Sequence, residues 1–332
     1  MLKKVKWEKG NFFVLFKYKN LRNFSIDGFI FAEVMNDYLK IKRLSLDSAF
    51  FYAEVNGTLG KKQGTLDFSG VINPINKRNF SLESVEINGK AKVNLPFIHI
   101  HAKAYIPFIK VREKKYNNIE SNINGYFKLF EKLILNAVAR NPNSIHIFVR
   151  YTIFPDNFLK FSFENIEVDR YALGIPLELS GFFKGHGFVD FKNKKLQVIA
   201  NTEDLKLESR SFKGSLDFSY RFAGSGTLTI SLKGKGKLAG KLELLKKEIK
   251  GRFTFENFSF FYKGLETTLR GKGNFTKKGN EFSLNGEFWA ENSYFQGFKL
   301  DDTLTLLTIK DKNIDVKIFS GKSYGVFYGS LK

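Results

Sequence analysis

The chain of 332 residues contains no cysteine at all. Disulfide cross-links and thiolate chemistry are thereby excluded, and the absence fits an oxidising compartment in which a stray thiol is a liability. Proline is scarce at six residues, so there is no Pro-rich linker, and tryptophan and methionine occur only twice each. Long hydrophobic runs are also missing. No segment approaches the roughly 20 apolar residues of a membrane-spanning helix. The start of the chain, Met1 to Tyr18, carries basic residues but neither an apolar core nor a small-residue cleavage site, and so does not read as a signal peptide. Either the protein stays in the cytosol or it belongs to something longer whose anchor lies elsewhere.

What is present in excess is phenylalanine, 38 copies in a chain that is 43% apolar. Aromatic residues favour pleated, half-buried strands, and 28 glycines supply turns. The formal net charge is +21. Three readings of it are open: attraction to an anionic surface, whether phospholipid or nucleic acid; a lysine-rich solvated face that blunts strand edges; or compositional bias of a thermophile. The lysines are spread along the chain and alternate with apolar residues, as on a solvated face.

Period-2 alternation runs through most of the sequence. Phe282, Leu284, Gly286 and Phe288 alternate with Ser283, Asn285 and Glu287. Phe298, Leu300, Asp302, Leu304 and Leu306 read as the next register, followed by Ile314, Val316 and Ile318. Phe253 and Phe255, then Leu216, Phe218, Tyr220 and Phe222, then Leu228, Ile230 and Leu232 behave alike, as do Phe12, Val14 and Phe16 near the start. Turn residues punctuate the chain every 8 to 12 positions or so, the spacing of all-β proteins.

One stretch departs from this pattern. Phe127, Phe130, Ile134, Ala137 and Val138 fall at helical spacing, with Asn124 as N-cap and Asn141-Pro142 as stop. The spacing predicts an amphipathic helix that packs on the sheet or closes an apolar groove through Phe127, Phe130, Ile134 and Val138. It divides the chain into 1–120, a helical insertion at 121–142, and 143–332. A loose repetition also recurs, apolar-x-Gly-x-Gly-x-apolar, around Gly185 and Gly187, Gly224 and Gly226, Gly234 and Gly236, and Gly271 and Gly273. It suggests one strand-turn-strand unit added many times.

The chemical motifs are weak. No Gly-x-Gly pair opens a helix, so none is a phosphate-cradling loop. His99 and His101 place two imidazoles on one strand face, but nothing nominates a third metal ligand, and solvated histidines are the simpler reading. His146 and His186 are isolated. The carboxylate pairs Asp301-Asp302 and Glu164 with Glu167 lack a partnered histidine, and no Gly-x-Ser-x-Gly elbow is present. No cofactor, metal site or catalytic residue is expected, and the chain does not read as an enzyme. Because aromatics alternate with lysine, charge and ring lie on opposite strand faces. That geometry argues against nucleic-acid binding, which needs both on one face.

The final stretch, ENSYFQGFKLDDTLTLLTIKDKNIDVKIFSGKSYGVFYGSLK from Glu291 to Lys332, resembles the AsmA-like family and most closely its TamB branch. Leu265 to Phe288, with Gly271-Lys272-Gly273-Asn274-Phe275 and Leu284-Asn285-Gly286, has the same look. The likeness is good over about 160–332, vaguer over 1–120 and absent in the expected helix. It implies a β-taco, a long antiparallel sheet folded into a trough, anchored in the Gram-negative inner membrane, crossing the periplasm, and associated with phospholipid passage and outer-membrane protein assembly. The inner-membrane anchor would lie in a segment absent here, and an outer-membrane β-barrel would be a partner.

Physical reasoning leads the same way. Roughly 20 to 25 strands spaced about 4.8 Å apart would make a sheet on the order of 100 Å long, and a sheet that size curls or splits. The expectation is an all-β, elongated, curled antiparallel sheet with one amphipathic helix, binding phospholipid in an apolar groove of the cell envelope. The predicted lining is Phe218, Tyr220, Phe253, Phe255, Phe282, Leu284, Phe288, Leu304, Leu306, Ile314, Val316 and Ile318. Two alternatives stay open: an assembly factor that offers strand edges to outer-membrane β-barrels, and a plain double-layer β-protein with a dry core.

Overall fold

The computed structural model describes residues 2–8, 10–19, 25–128, 131–141, 146–154, 156–173, 178–208 and 210–330. The chain is all-β: among the described residues its strands form an antiparallel sheet that does not close on itself. It divides into two compact units, Met1–Phe161 and Ser162–Lys332.

In the first unit the strands are β1 (Leu2–Glu8), β2 (Asn11–Lys19), β3 (Ser25–Val34), β4 (Tyr38–Ser48), β5 (Phe51–Gly60), β6 (Gln63–Ile72), β7 (Ile75–Lys77), β8 (Phe80–Leu82), β9 (Val85–Asn94), β10 (Phe97–Val111), β11 (Lys114–Lys128), β12 (Lys132–Arg140) and β13 (His146–Phe154). Each strand pairs with the next from β1 to β6; β6 then pairs with β9, and the order continues through β13. The β7–β8 hairpin docks beside β10.

β14 (Phe158–Asp169) carries the chain across the unit boundary into α1 (Arg170–Leu173), a single turn whose first amides donate to the Asp169 carboxylate at 3.0 Å. The second unit continues with β15 (Leu179–Asp190), β16 (Lys195–Leu207), β17 (Arg210–Arg221), β18 (Ser225–Gly234), β19 (Gly236–Leu245), β20 (Glu248–Tyr262), β21 (Leu265–Lys278), β22 (Glu281–Phe295), β23 (Phe298–Leu300), β24 (Thr303–Lys310), β25 (Asn313–Ser320) and β26 (Ser323–Ser330). Neighbours in sequence pair throughout, except that β22 pairs with both β23 and β24. Short turns such as Lys246-Lys247 and Asp311-Lys312 join them, so the ladder is a meander.

Alternation along each strand separates two faces, and direct opposition carries that separation from strand to strand. The polar face bears cross-strand ion pairs, among them Lys17–Asp27 at 3.1 Å, Lys90–Asp67 at 3.4 Å and Lys213–Glu203 at 3.2 Å. Pairs this exposed contribute little stability each, but they fix register and keep the face wet. Bulges preserve the phase where strict alternation would lose it. At Asn257, with φ 48°, an extra residue returns Phe258 to the face of Phe253 and Phe255. Asparagine tolerates that left-handed conformation better than most residues.

The expected helix at 121–142 is not formed. Lys114–Lys128 and Lys132–Arg140 are paired strands, with Phe127 opposite Leu133, Gly125 opposite Leu135 and Ile123 opposite Ala137. Apolar residues here occupy both parities, which mimics a helical stripe, and long-range pairing decides the outcome. Phe127 faces the apolar side, whereas Ile134 and Val138 point to the other; Phe130 lies outside the described residues. The described residues of 121–142 are therefore strands of the ladder, and the boundary between the compact units falls at Phe161/Ser162.

Candidate functional site

The apolar face of the second unit can be followed rung by rung. One rung runs Gly187, Val198, Phe218, Leu228, Leu242, Gly251, Phe275, Leu284, Ile309, Ile314, Gly329, crossing eleven strands without a polar side chain. Beside it runs Ala200, Leu216, Ile230, Gly240, Phe253, Gly273, Gly286, Leu307, Val316, Phe327. A third contains Leu238, Phe255, Gly271, Phe288, Thr305 and Ile318.

Of the residues predicted from sequence, Phe218, Tyr220, Phe253, Phe255, Phe282, Leu284, Phe288, Ile314, Val316 and Ile318 share this face. Leu304 and Leu306 do not. They stand opposite Trp289 and Glu287 on the polar side, and Thr305, Leu307 and Ile309 take the inward positions. The error has a local cause: the chain breaks at Asp301-Asp302 between β23 and β24, and the Leu306-Leu307 doublet leaves parity ambiguous.

Glycine explains how so many rings fit. A Cβ on Gly273 would meet the Phe253 ring at 2.4 Å, and one on Gly251 would meet the Phe275 ring at 2.2 Å. Each ring lies over the glycine directly opposite it, covering bare backbone. The rings then touch one another: Phe253 stacks on Phe288 at 6.1 Å, and Phe255 contacts Phe258 at 5.6 Å. The first unit repeats the device with Phe16 over Gly28 and Phe68 over Gly89.

At one end of the strands this face turns in on itself. Phe212 on β17 and Phe258 on β20 are 2% and 1% exposed and stack at 4.9 Å, although two strands lie between them. In a flat sheet three strand spacings would hold them about 14 Å apart. The sheet is therefore curled with its apolar face inward, and Leu205, Leu232 and Leu238 fill the bend. Arg210 on β17 reaches Glu266 on β21 across the same end. The buried hydroxyls of Thr267 and Ser293 bond each other at 2.7 Å.

Away from the bend the face stays half-buried, and Ile318 is 40% exposed. Phe327, on the second rung, is 58% exposed.

The first unit, whose residues 1–120 the alternation assigns to the same groove without a named lining, offers a comparable face. Its rung Val14, Ile30, Leu44, Val55, Phe68, Gly89, Ala102, Ile123, Ala137, Val149 is apolar across ten strands. Phe51, Ala53, Phe68, Gly70, Ile72 and Ile87 help line a cavity of about 390 Å³ there. Small alternating residues made it inconspicuous in sequence.

His99 and His101 are on the polar face, His99 edge-on to Tyr126 at 5.4 Å and His101 Nδ1 2.7 Å from Asn124 Oδ1. Among the described residues no three His, Asp or Glu side chains converge as a metal site. On the polar face of the second unit Glu243 accepts from Lys241 at 3.0 Å, and that bond, then the charges of Lys241, Arg252 and Lys250, hold its carboxyl below the usual range.

No family model matches the chain. A protein of Aquifex aeolicus (strain VF5), described only as an uncharacterized protein, is 38% identical over 316 residues. The match covers 95% of this chain and 28% of that relative, so the chain spans little more than a quarter of the relative's length.

Proposed function

We propose that the protein is a non-enzymatic lipid-binding protein of the bacterial envelope, whose apolar face carries phospholipid acyl chains between inner and outer membrane. The observation that carries this reading is the rung from Gly187 to Gly329, apolar over eleven strands yet half-exposed. A sheet destined for a dry sandwich buries such a face against a second layer. Here the face curls instead, and an acyl chain laid along it regains about 0.8 kcal/mol per buried methylene, close to what it loses on leaving a bilayer. Near-equal energies suit passage along the face better than storage.

The AsmA-like resemblance supports the same reading and brings its partners: phospholipid, an inner-membrane anchor supplied by another segment or protein, and an outer-membrane β-barrel, with a periplasmic location. That the Aquifex relative is far longer than the matched stretch is compatible with a sheet built from more such units.

The test is native mass spectrometry with lipid extraction. Wild type should release phospholipid on denaturation, and Leu284→Asp and Phe218→Asp, both on the first rung, should each abolish it while leaving the β circular dichroism intact. Leu304→Asp, on the opposite face, should retain lipid. Unchanged lipid in the folded Leu284 and Phe218 variants, or a lipid-free wild type, would sink the groove assignment and leave strand-edge assembly standing.

A further inference from the structure

The other side of the same ladder carries a cavity of its own. A polar rung, Thr229, Lys241, Arg252, Asn274, Asn285, Thr308, crosses six strands from β18 to β24. Next to it lie Lys272 and Glu287, opposite each other on β21 and β22. With Ala239, Thr254 and Leu306 these rungs line a depression of about 720 Å³ over the backbone of Gly240, Phe253, Gly273 and Gly286, and most of its lining surface is apolar.

The charges in it are arranged at a cost. Lys241 and Arg252 are directly opposed in the ladder, and Lys272 is diagonal to Arg252. Like charges in direct opposition destabilise a strand pair. Lys241 has Glu243 beside it, but Arg252 and Lys272 have no carboxylate in ion-pair contact among the described residues. Glu287 is the sole carboxylate in the lining, against three cations. Threonine hydroxyls and the Asn274 and Asn285 amides add neutral donors between them.

We propose that this depression binds a phosphate ester, with the Arg252 guanidinium taking two phosphate oxygens in its planar fork and Lys241 and Lys272 supplying point charges. An anion between Arg252 and Lys272 removes the repulsion that the ladder otherwise carries. The site is independent of the acyl-binding face, because its side chains point to the opposite side of the sheet.

Calorimetric titration of the full chain at low ionic strength tests it, with inorganic phosphate and with monomeric dihexanoyl phosphatidic acid as probes. Saturable binding of both probes identifies a general phosphate-ester site, and binding of the lipid alone identifies a headgroup site where it survives Leu284→Asp and is lost in Arg252→Gln/Lys272→Gln; lipid binding that instead follows Leu284 belongs to the acyl face and overturns the site. Arg252→Gln/Lys272→Gln should weaken affinity at least tenfold. Lys92→Gln/Lys110→Gln, which removes equal charge from the first unit, should leave it within twofold. Glu287→Gln should tighten binding about threefold, the scale of one charge roughly 6 Å away at the dielectric of water, and so keeps the test sound if the double variant misfolds. No saturable binding of either probe, or equal losses in the two double variants, would overturn the site. Leu284→Asp should not alter phosphate binding, so its loss of acyl chains and a failure here are separate results.

Discussion

The curl of the second unit rests on a contact that a double-mutant cycle can weigh. Phe212 and Phe258 are almost fully buried and stack at 4.9 Å with an 11° interplanar angle. Each truncation to alanine should cost about 3–5 kcal/mol of unfolding free energy, from lost transfer energy plus the cavity left behind. If the rings touch as described, the double variant should lose less than the sum, by the ~0.5–1.5 kcal/mol that stacked aromatic pairs contribute beyond burial. The ladder β17–β18–β19–β20 places two strands between them. In an uncurled sheet the rings would be about 14 Å apart, and the effects would add within about 0.3–0.5 kcal/mol. Urea denaturation monitored by tryptophan fluorescence suits the measurement. The chain has two tryptophans, Trp7 and Trp289, one in each unit. In a Trp7→Phe background the indole of Trp289 reports the second unit alone. Additivity in that background would refute the curl, whatever the size of the single losses.

Two further perturbations probe the same end of the strands. Gly236 has φ 93°, and a Cβ there would lie 1.9 Å from the Asn257 carbonyl oxygen, backbone that is itself fixed by the Ser259 N–H donating to Lys235 O at 2.8 Å. Gly236→Ala should therefore cost well over the ~1–2 kcal/mol of left-handed strain, whereas Gly321→Ala, at φ 55° with nothing within 4 Å, should cost only that strain; equal shifts in denaturation midpoint would contradict the packing at the bend. Thr202 is 2% exposed and its hydroxyl has no hydrogen-bond partner among the described residues. Thr202→Val keeps the shape and should stabilise by about 1 kcal/mol, and a comparable loss in the same melt would mean that the hydroxyl is held.

Much of this was legible from alternation alone, and what escaped did so for identifiable reasons. Ten of the twelve residues predicted to line the groove share one face because period-2 patterning holds without a break over 218–220, 253–255, 282–288 and 314–318. Leu304 and Leu306 went to the wrong face because phase was carried across Asp301-Asp302, where pairing passes from β23 to β24. Phe258, the most buried side chain of the bend, has the wrong parity relative to Phe255 and returns to the apolar face only through the bulge at Asn257. A bulge leaves little mark on composition, beyond an asparagine where φ must be positive. The 121–142 stretch failed oppositely: β12 has apolar residues on both faces, with Ile134 buried on the side away from Leu133 and Leu135, and two-sided strands imitate a helical stripe.

The pairing of phenylalanine with glycine bears on why the apolar face remains a surface. Sheets that pack into sandwiches do so by interdigitating side chains that stand up from each inner face. In this protein the rings of Phe253 and Phe275 lie across Gly273 and Gly251, and Phe16 and Phe68 lie across Gly28 and Gly89 in the other unit. A ring laid over backbone buries one of its faces inside its own sheet and presents the other as a low, smooth surface. Such a floor gives a second sheet little to interlock with, but it suits a flexible hydrocarbon chain that needs contact area without register. The same geometry lowers the apolar area left exposed when nothing is bound, which lets the open face persist in water. Under the lipid-binding proposal, Phe and Gly on the same rungs would separate a groove from half of a sandwich, where Val, Ile and Leu alone would fit either.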